Sequence, residues 1–120
     1  MLKVRHMLET HDLLDGACEV AAAAGLNSSQ MTDLLNLPVR LCSRSVARGD
    51  FRWNLNSGAP LEIRLSSNYG GLRNLHTFAH ELAHAIDCVL RGTTDHGPEW
   101  CAIAGLLGVD ISAYTGKAAA

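Results

Sequence analysis

The chain has no Cys-x-x-Cys pair, no apolar run of membrane length and no strong excess of charge of one sign. Its four cysteines, Cys18, Cys42, Cys88 and Cys101, lack ligand spacing, which excludes a zinc ribbon and leaves them as small apolar residues suited to a reducing compartment. No stretch approaches the roughly 18 apolar residues of a membrane span, and no signal peptide with a cleavage pattern opens the sequence. A cytoplasmic protein that does not enter a membrane is expected. Ten lysines and arginines against twelve acids give a formal net charge of -2, from which no general affinity for nucleic acid follows. Nor is there a helix-turn-helix pattern or a long basic tail. At 120 residues the chain suffices for one domain that buries roughly two thirds of its unfolded surface without disulfides.

What the sequence does contain is His80-Glu81-Leu82-Ala83-His84, followed downstream by His96-Gly97-Pro98-Glu99-Trp100. Residues four apart on a helix sit one turn above each other, so His80 and His84 can offer two imidazole nitrogens to one metal ion. The context favours a helix. Between Asn74 and Arg91, Leu75, Phe78, Ala79, Leu82, Ile86, Val89 and Leu90 recur at helical spacing, with the two histidines, Asp87 and Arg91 on the other side. Gly92 is a helix stop, and Thr93, Thr94 and Asp95 read as connecting loop. Gly97-Pro98 starts a second helix, with Glu99 in its first turn and Trp100, Ile103, Ala104, Leu106 and Leu107 as its apolar face. A third ligand comes from His96 or Glu99, and a fourth tetrahedral position left to water would mark a catalytic zinc site. Zinc lowers the pKa of a bound water toward about 7, and Glu81, next to the first ligand, is placed to act as general base.

The flanking segments predict an α+β domain. Residues from Val4 to Ala24 read as an N-terminal helix ended by Gly25, and Asn27 or Ser28 caps a short second helix stopped by Pro38. His6 and His11 fall in the first helix as surface histidines. Val39 to Ser43, Ala47 to Trp53 and Leu61 to Ser66 read as strands of a small antiparallel sheet, with Gly49 a hairpin turn or a bulge. The chain is thus divided into a helical part (1–37), a sheet (38–67), metal-site helices (68–110) and a tail (111–120). Arg40, Arg44, Arg48, Arg52 and Arg64 gather in the sheet region against only Asp50 and Glu62; on one face they could meet phosphates, although a solvated sheet face is the ordinary outcome.

The two histidine motifs, with the terminal Leu107-Gly108-Val109 and the preceding Leu61-Glu62-Ile63-Arg64-Leu65-Ser66, closely resemble the SprT-like zinc metalloproteases, the group that includes Spartan. The resemblance covers roughly residues 61 to 109. It implies a compact zincin-like domain with Zn2+ at His80, His84 and His96 and with Glu81 as catalytic base. It also implies a protease acting on DNA-associated or DNA-crosslinked proteins. His96 is preferred over Glu99 because it carries the resemblance, while Glu99 has its own reason to occupy a first helical turn. By likeness to zincin-type proteases, Leu61 to Ser66 would lie near the metal helix and offer an edge to an extended peptide. Asp87 and Asp95 are candidates to orient the ligand histidines, and Tyr69, Arg73, His76 and Tyr114 are unranked candidates to stabilise an oxyanion. Two other readings remain open: a DNA- or nucleoprotein-associated interaction module with a structural zinc, and a zinc hydrolase acting on a non-peptide bond.

Overall fold

Apolar positions at alternate residues after Pro38 make three strands, β1 (Val39–Cys42), β2 (Gly49–Trp53) and β3 (Pro60–Ser66). The computed structural model describes residues 1–43 and 47–119, so Arg44 and Ala120 lie outside the described residues. β2 and β3 form an antiparallel hairpin in which Phe51 faces Ile63 and Arg52 faces Glu62. Its loop is closed by Asn54 N–H donating to Ala59 O (2.8 Å) and Gly58 N–H donating to Asn54 O (2.7 Å).

β1 lies on the far side of β3 and runs parallel to it, with Val39 opposite Ile63 and Leu41 opposite Leu65. The sheet is therefore mixed, in the order β1-β3-β2, rather than the antiparallel sheet that the strand pattern predicts. Alternation fixes which face each side chain takes, but not which strands become neighbours. The start of β1 is held from the N-terminus: Val39 N–H donates to Leu2 O (2.9 Å), and Lys3 bridges Pro38. The edge expected at Leu61 to Ser66 is also absent: β3 is the central strand, paired on both sides, and the edge beside the His-Glu-x-x-His helix belongs to β2. Gly49 is neither a turn nor a bulge but the first residue of β2, paired with Leu65, and the register shift falls at Arg52/Trp53.

Six α-helices surround this sheet among the described residues. The expected single N-terminal helix is two, α1 (Val4–Thr10) and α2 (Leu14–Ala24), broken at Asp12, whose φ of 57° is a left-handed conformation that aspartate tolerates better than most residues. α3 (Ser28–Leu35) starts at Asn27, whose side chain accepts from Gln30 N–H (2.8 Å) while the Gln30 side chain accepts from Asn27 N–H (2.9 Å). α4 (Leu75–Arg91) carries the His-Glu-x-x-His run, begins at Asn74, whose side chain caps Thr77 N–H (3.0 Å), and stops at left-handed Gly92. It packs against β2, β3 and α5 (Pro98–Leu106). Phe78, Leu82 and Ile86 of α4 join Val39, Phe51, Ile63 and Leu65 of the sheet in one core. Residues 111–120, read as a tail, contain a helix, α6 (Ser112–Ala119). No helix is long and apolar enough to cross a membrane among the described residues.

Two close backbone approaches set the spacing around α4. A Cβ on Gly49 would stand 2.8 Å from both Arg64 O and Thr77 Cγ2, so only glycine lets the start of β2 run this near the helix. A Cβ on Gly58 would stand 2.7 Å from Gly92 O, so the hairpin loop touches the end of α4 backbone to backbone. Both Gly58 (φ 76°) and Gly92 (φ 74°) are also left-handed, which favours glycine independently.

Candidate metal centre

The helical repeat brings His80 and His84 to one side of α4, and the loop from Gly92 to Gly97 returns His96 to face them. The Nε2 atoms of His84 and His96 are 3.1 Å apart, those of His96 and His80 3.3 Å, and the three ligand atoms all lie within 4.8 Å of one another. Nitrogens around a tetrahedral zinc with bonds of about 2.0–2.1 Å lie roughly 3.3–3.4 Å apart, so this donor set fits the ion. The cluster could hold a metal ion. Glu99 is not part of it: this side chain is half exposed, with Oε2 3.9 Å from Arg91 Nη1. His6 and His11 are also absent from it, and His6 Nδ1 instead accepts from Lys3 N–H (3.2 Å).

The cluster is graded from buried to open, since His84 is buried, His80 half-buried and His96 exposed. Beneath it lies Trp100, wholly buried, its ring 5.1 Å from and nearly parallel to His84 and 4.8 Å from both His80 and His96. Fully burying such an aromatic contributes about 1.5–3 kcal/mol and gives the histidines a rigid floor.

Asp87 does orient His84, but through Thr94 rather than directly. Its carboxylate is completely buried; Oδ2 accepts the Thr94 hydroxyl proton (2.8 Å), and both oxygens accept from Arg91 (2.6 and 2.7 Å). With its proton committed to Asp87, the Thr94 oxygen is left to accept from His84 Nδ1–H at 2.8 Å. His84 therefore holds its proton on Nδ1 and presents a lone pair from Nε2 to the cluster. Thr94 looked like loop material in the sequence, and nothing local marks it. The Asp95 carboxylate bonds elsewhere than to the His96 ring: its Oδ1 accepts from Gly97 N–H (2.8 Å) and fixes the turn behind His96.

Burial, then the neighbouring His80 and His96, pushes His84 down to about 4, and burial foremost also lowers His80. Both are neutral at pH 7, the state in which imidazole binds metal. Glu81 is buried and lines one cleft of about 320 Å³ with His80, His84 and His96; Asp50, Phe51 and Trp53 of β2 form the facing wall. Desolvation, aided by nearby Asp50, pushes its carboxyl up to about 8. A cation at the three nitrogens would favour the ionised form and draw that value down.

Of the four residues considered for an oxyanion, Tyr114 of α6 stacks on His96 with ring centroids 4.3 Å apart, and His76 lines a second cavity beside Glu81. Tyr69 instead lies under Arg48 at 5.8 Å, and Arg73 lines neither cavity. The arginines of the sheet do gather, but mostly in pairs: Arg40 (3.1 Å) and Arg52 (3.5 Å) both reach Glu62, and Arg64 Nε donates to Asp50 at 2.8 Å. Compared with known proteins, the chain matches no family model, no curated protein and no solved structure.

Proposed function

We infer that the chain is a zinc-dependent peptidase of SprT-like type with a zincin-like arrangement. The observation that carries this reading is the buried Glu81 carboxyl in the cleft onto which three histidine nitrogens converge. A purely structural zinc site has no use for such a group and is more often closed by a fourth protein ligand. Zinc held there would lower the pKa of a bound water toward about 7 and polarise a carbonyl.

The remaining chemistry belongs to the chain. His80, His84 and His96 hold the ion, with His84 fixed in its tautomer by Thr94. Glu81, ionised when the site is loaded, takes the proton of the attacking water and passes it to the leaving amine. The free edge of β2 lines the same cleft, so an extended segment can add to it by main-chain hydrogen bonds, which gives affinity with little sequence selectivity. An extended, locally unfolded protein segment is the substrate that suits such an edge. Proteins associated with DNA are the substrates that the SprT-like resemblance suggests, and a cytoplasmic location accords with the free cysteines.

The test combines metal analysis with cleavage of an unfolded protein, with and without DNA. Wild type and Glu81→Gln should each carry one zinc, and only wild type should cut. A zinc-loaded wild type that cuts nothing would favour an interaction module instead. His96→Ala should lower zinc affinity by more than about a hundredfold, and Glu99→Ala should leave it unchanged. The reverse pattern would reassign the third ligand.

A further inference from the structure

The cleft does not end at the histidines. Past Glu81 it continues into a second cavity of about 220 Å³, lined by Arg48, Gly49, His76, Thr77, His80 and Glu81, and the two share Gly49, His80 and Glu81. Their chemistry differs. Both contain the Glu81 carboxyl, but the first adds Asp50 and Asp95, whereas the second adds a guanidinium and the His76 imidazole beside the first turn of α4.

Arg48 differs from the other described arginines of the sheet. Arg40 and Arg52 share Glu62 and Arg64 pairs with Asp50, but Arg48 has no carboxylate partner among the described residues. Its guanidinium lies over the Tyr69 ring at 5.8 Å, and its carbonyl accepts from Ser66 N–H (2.9 Å), which ties its backbone to β3. An aromatic ring steadies a guanidinium without using its N–H donors, so these stay available to an incoming anion. The positive end of the α4 dipole adds a field of the same sign.

We propose that this second cavity is a subsite for an anionic group, the side chain of an aspartate or glutamate in the bound peptide, with Arg48 as its specificity-determining residue. Peptide direction follows from β2, which runs from Gly49 beside Arg48 to Trp53 at the far end of the cleft. A peptide pairing antiparallel with that edge, the stabler of the two modes, sets its C-terminal half against Arg48. The acidic residue therefore lies on the C-terminal side of the bond to be cut. The subsite's role in cleavage rests on the peptidase reading, but its preference for an anion can be measured without turnover.

Zinc-loaded Glu81→Gln protein is titrated with labelled peptides that differ at one scanned position, carrying Glu, Ala or Lys. The best glutamate peptide should bind about three- to tenfold more tightly than its lysine counterpart at about 0.1 M salt, and the ratio should fall toward one as salt rises. Adding Arg48→Gln should bring the ratio near one, and Arg48→Glu should invert it. Arg5→Glu, a charge reversal on α1 outside both cavities, should leave it standing. A ratio of one, a ratio indifferent to Arg48, or no peptide binding at all would overturn the subsite. Mapping of wild-type cleavage products supplies the direction: new N-termini rich in Asp or Glu support it, and acids on the other side of the cut overturn it. If no product forms while the Arg48-dependent ratio persists, the peptidase reading fails and the subsite stands.

Discussion

His84 and His96 bring their Nε2 atoms to within 3.1 Å of each other, yet the protein holds them by opposite means. His84 is buried on a long helix and locked through Thr94 to the Asp87–Arg91 ion pair. His96 is exposed on a short loop and is braced by ring contacts, with Tyr114 at 4.3 Å and Trp100 at 4.8 Å. One side of the centre is thus directed by hydrogen bonds, which fix a tautomer. Stacking holds the other; it restrains the ring plane but does not by itself fix a tautomer. The helix side bears the desolvation cost, and the loop side supplies access.

The comparison breaks most readily at Thr94. Thr94→Val keeps the shape and removes the relay, so zinc affinity should fall about 10- to 100-fold, whereas Thr94→Ser should retain most of it. Equal losses for Val and Ser would deny the hydroxyl its role. The buried side can next be read in the pH dependence of metal-free stability. Unfolded Glu81 ionises near 4.5 while the folded carboxyl keeps its proton to about 8, so stability falls as pH rises across that window. His84 works in the opposite sense: unfolded imidazole protonates near 6.5 and the folded one only near 4, so stability falls as pH drops between them. Above 6.5 only the Glu81 contribution of the two remains. From pH 6.5 to 8, denaturant titrations should show metal-free wild type losing on the order of 1–2 kcal/mol relative to Glu81→Gln. Parallel curves would mean that the carboxyl is already ionised in the folded protein. The smallest effect belongs to the loop side. Tyr114→Leu should weaken zinc binding only about two- to fivefold, since a half-buried ring stack on an exposed histidine contributes about 0.5–1 kcal/mol. A loss as large as that of Thr94→Val would erase the distinction between the two sides.

Legibility in the sequence followed the range of the interactions involved. The Gly92 stop, the Gly97-Pro98 start and the pairing of His80 with His84 are settled within a few residues, and the structure places each where the pattern predicts. The pairing of His80 with His84 is legible from their shared helix face, whereas the choice of His96 over Glu99 as the third member rests on the SprT-like resemblance. Strand neighbours are not legible. β1 pairs with β3 and is held at its start by Leu2, both partners more than twenty residues away in sequence. Thr94 and Tyr114 act across the fold through one hydroxyl and one ring, and neither residue type at such a position carries a spacing signal. Asp12 shows the reverse limit: apolar spacing continues through it, and a single left-handed residue divides the helix.

The contact between Gly58 and Gly92 couples two loops that look independent. The hairpin loop rests on the residue from which the chain departs toward Thr94 and His96, and Cys88 Sγ–H donates to Gly58 O (3.4 Å) at the same junction. Among relatives of this protein, the lengths of those two loops should covary. A residue inserted in the hairpin lifts its backbone from the helix end, and only a compensating change after Gly92 would bring His96 back into register. The hairpin loop, which does not line the cleft, would then be among the segments least tolerant of insertions.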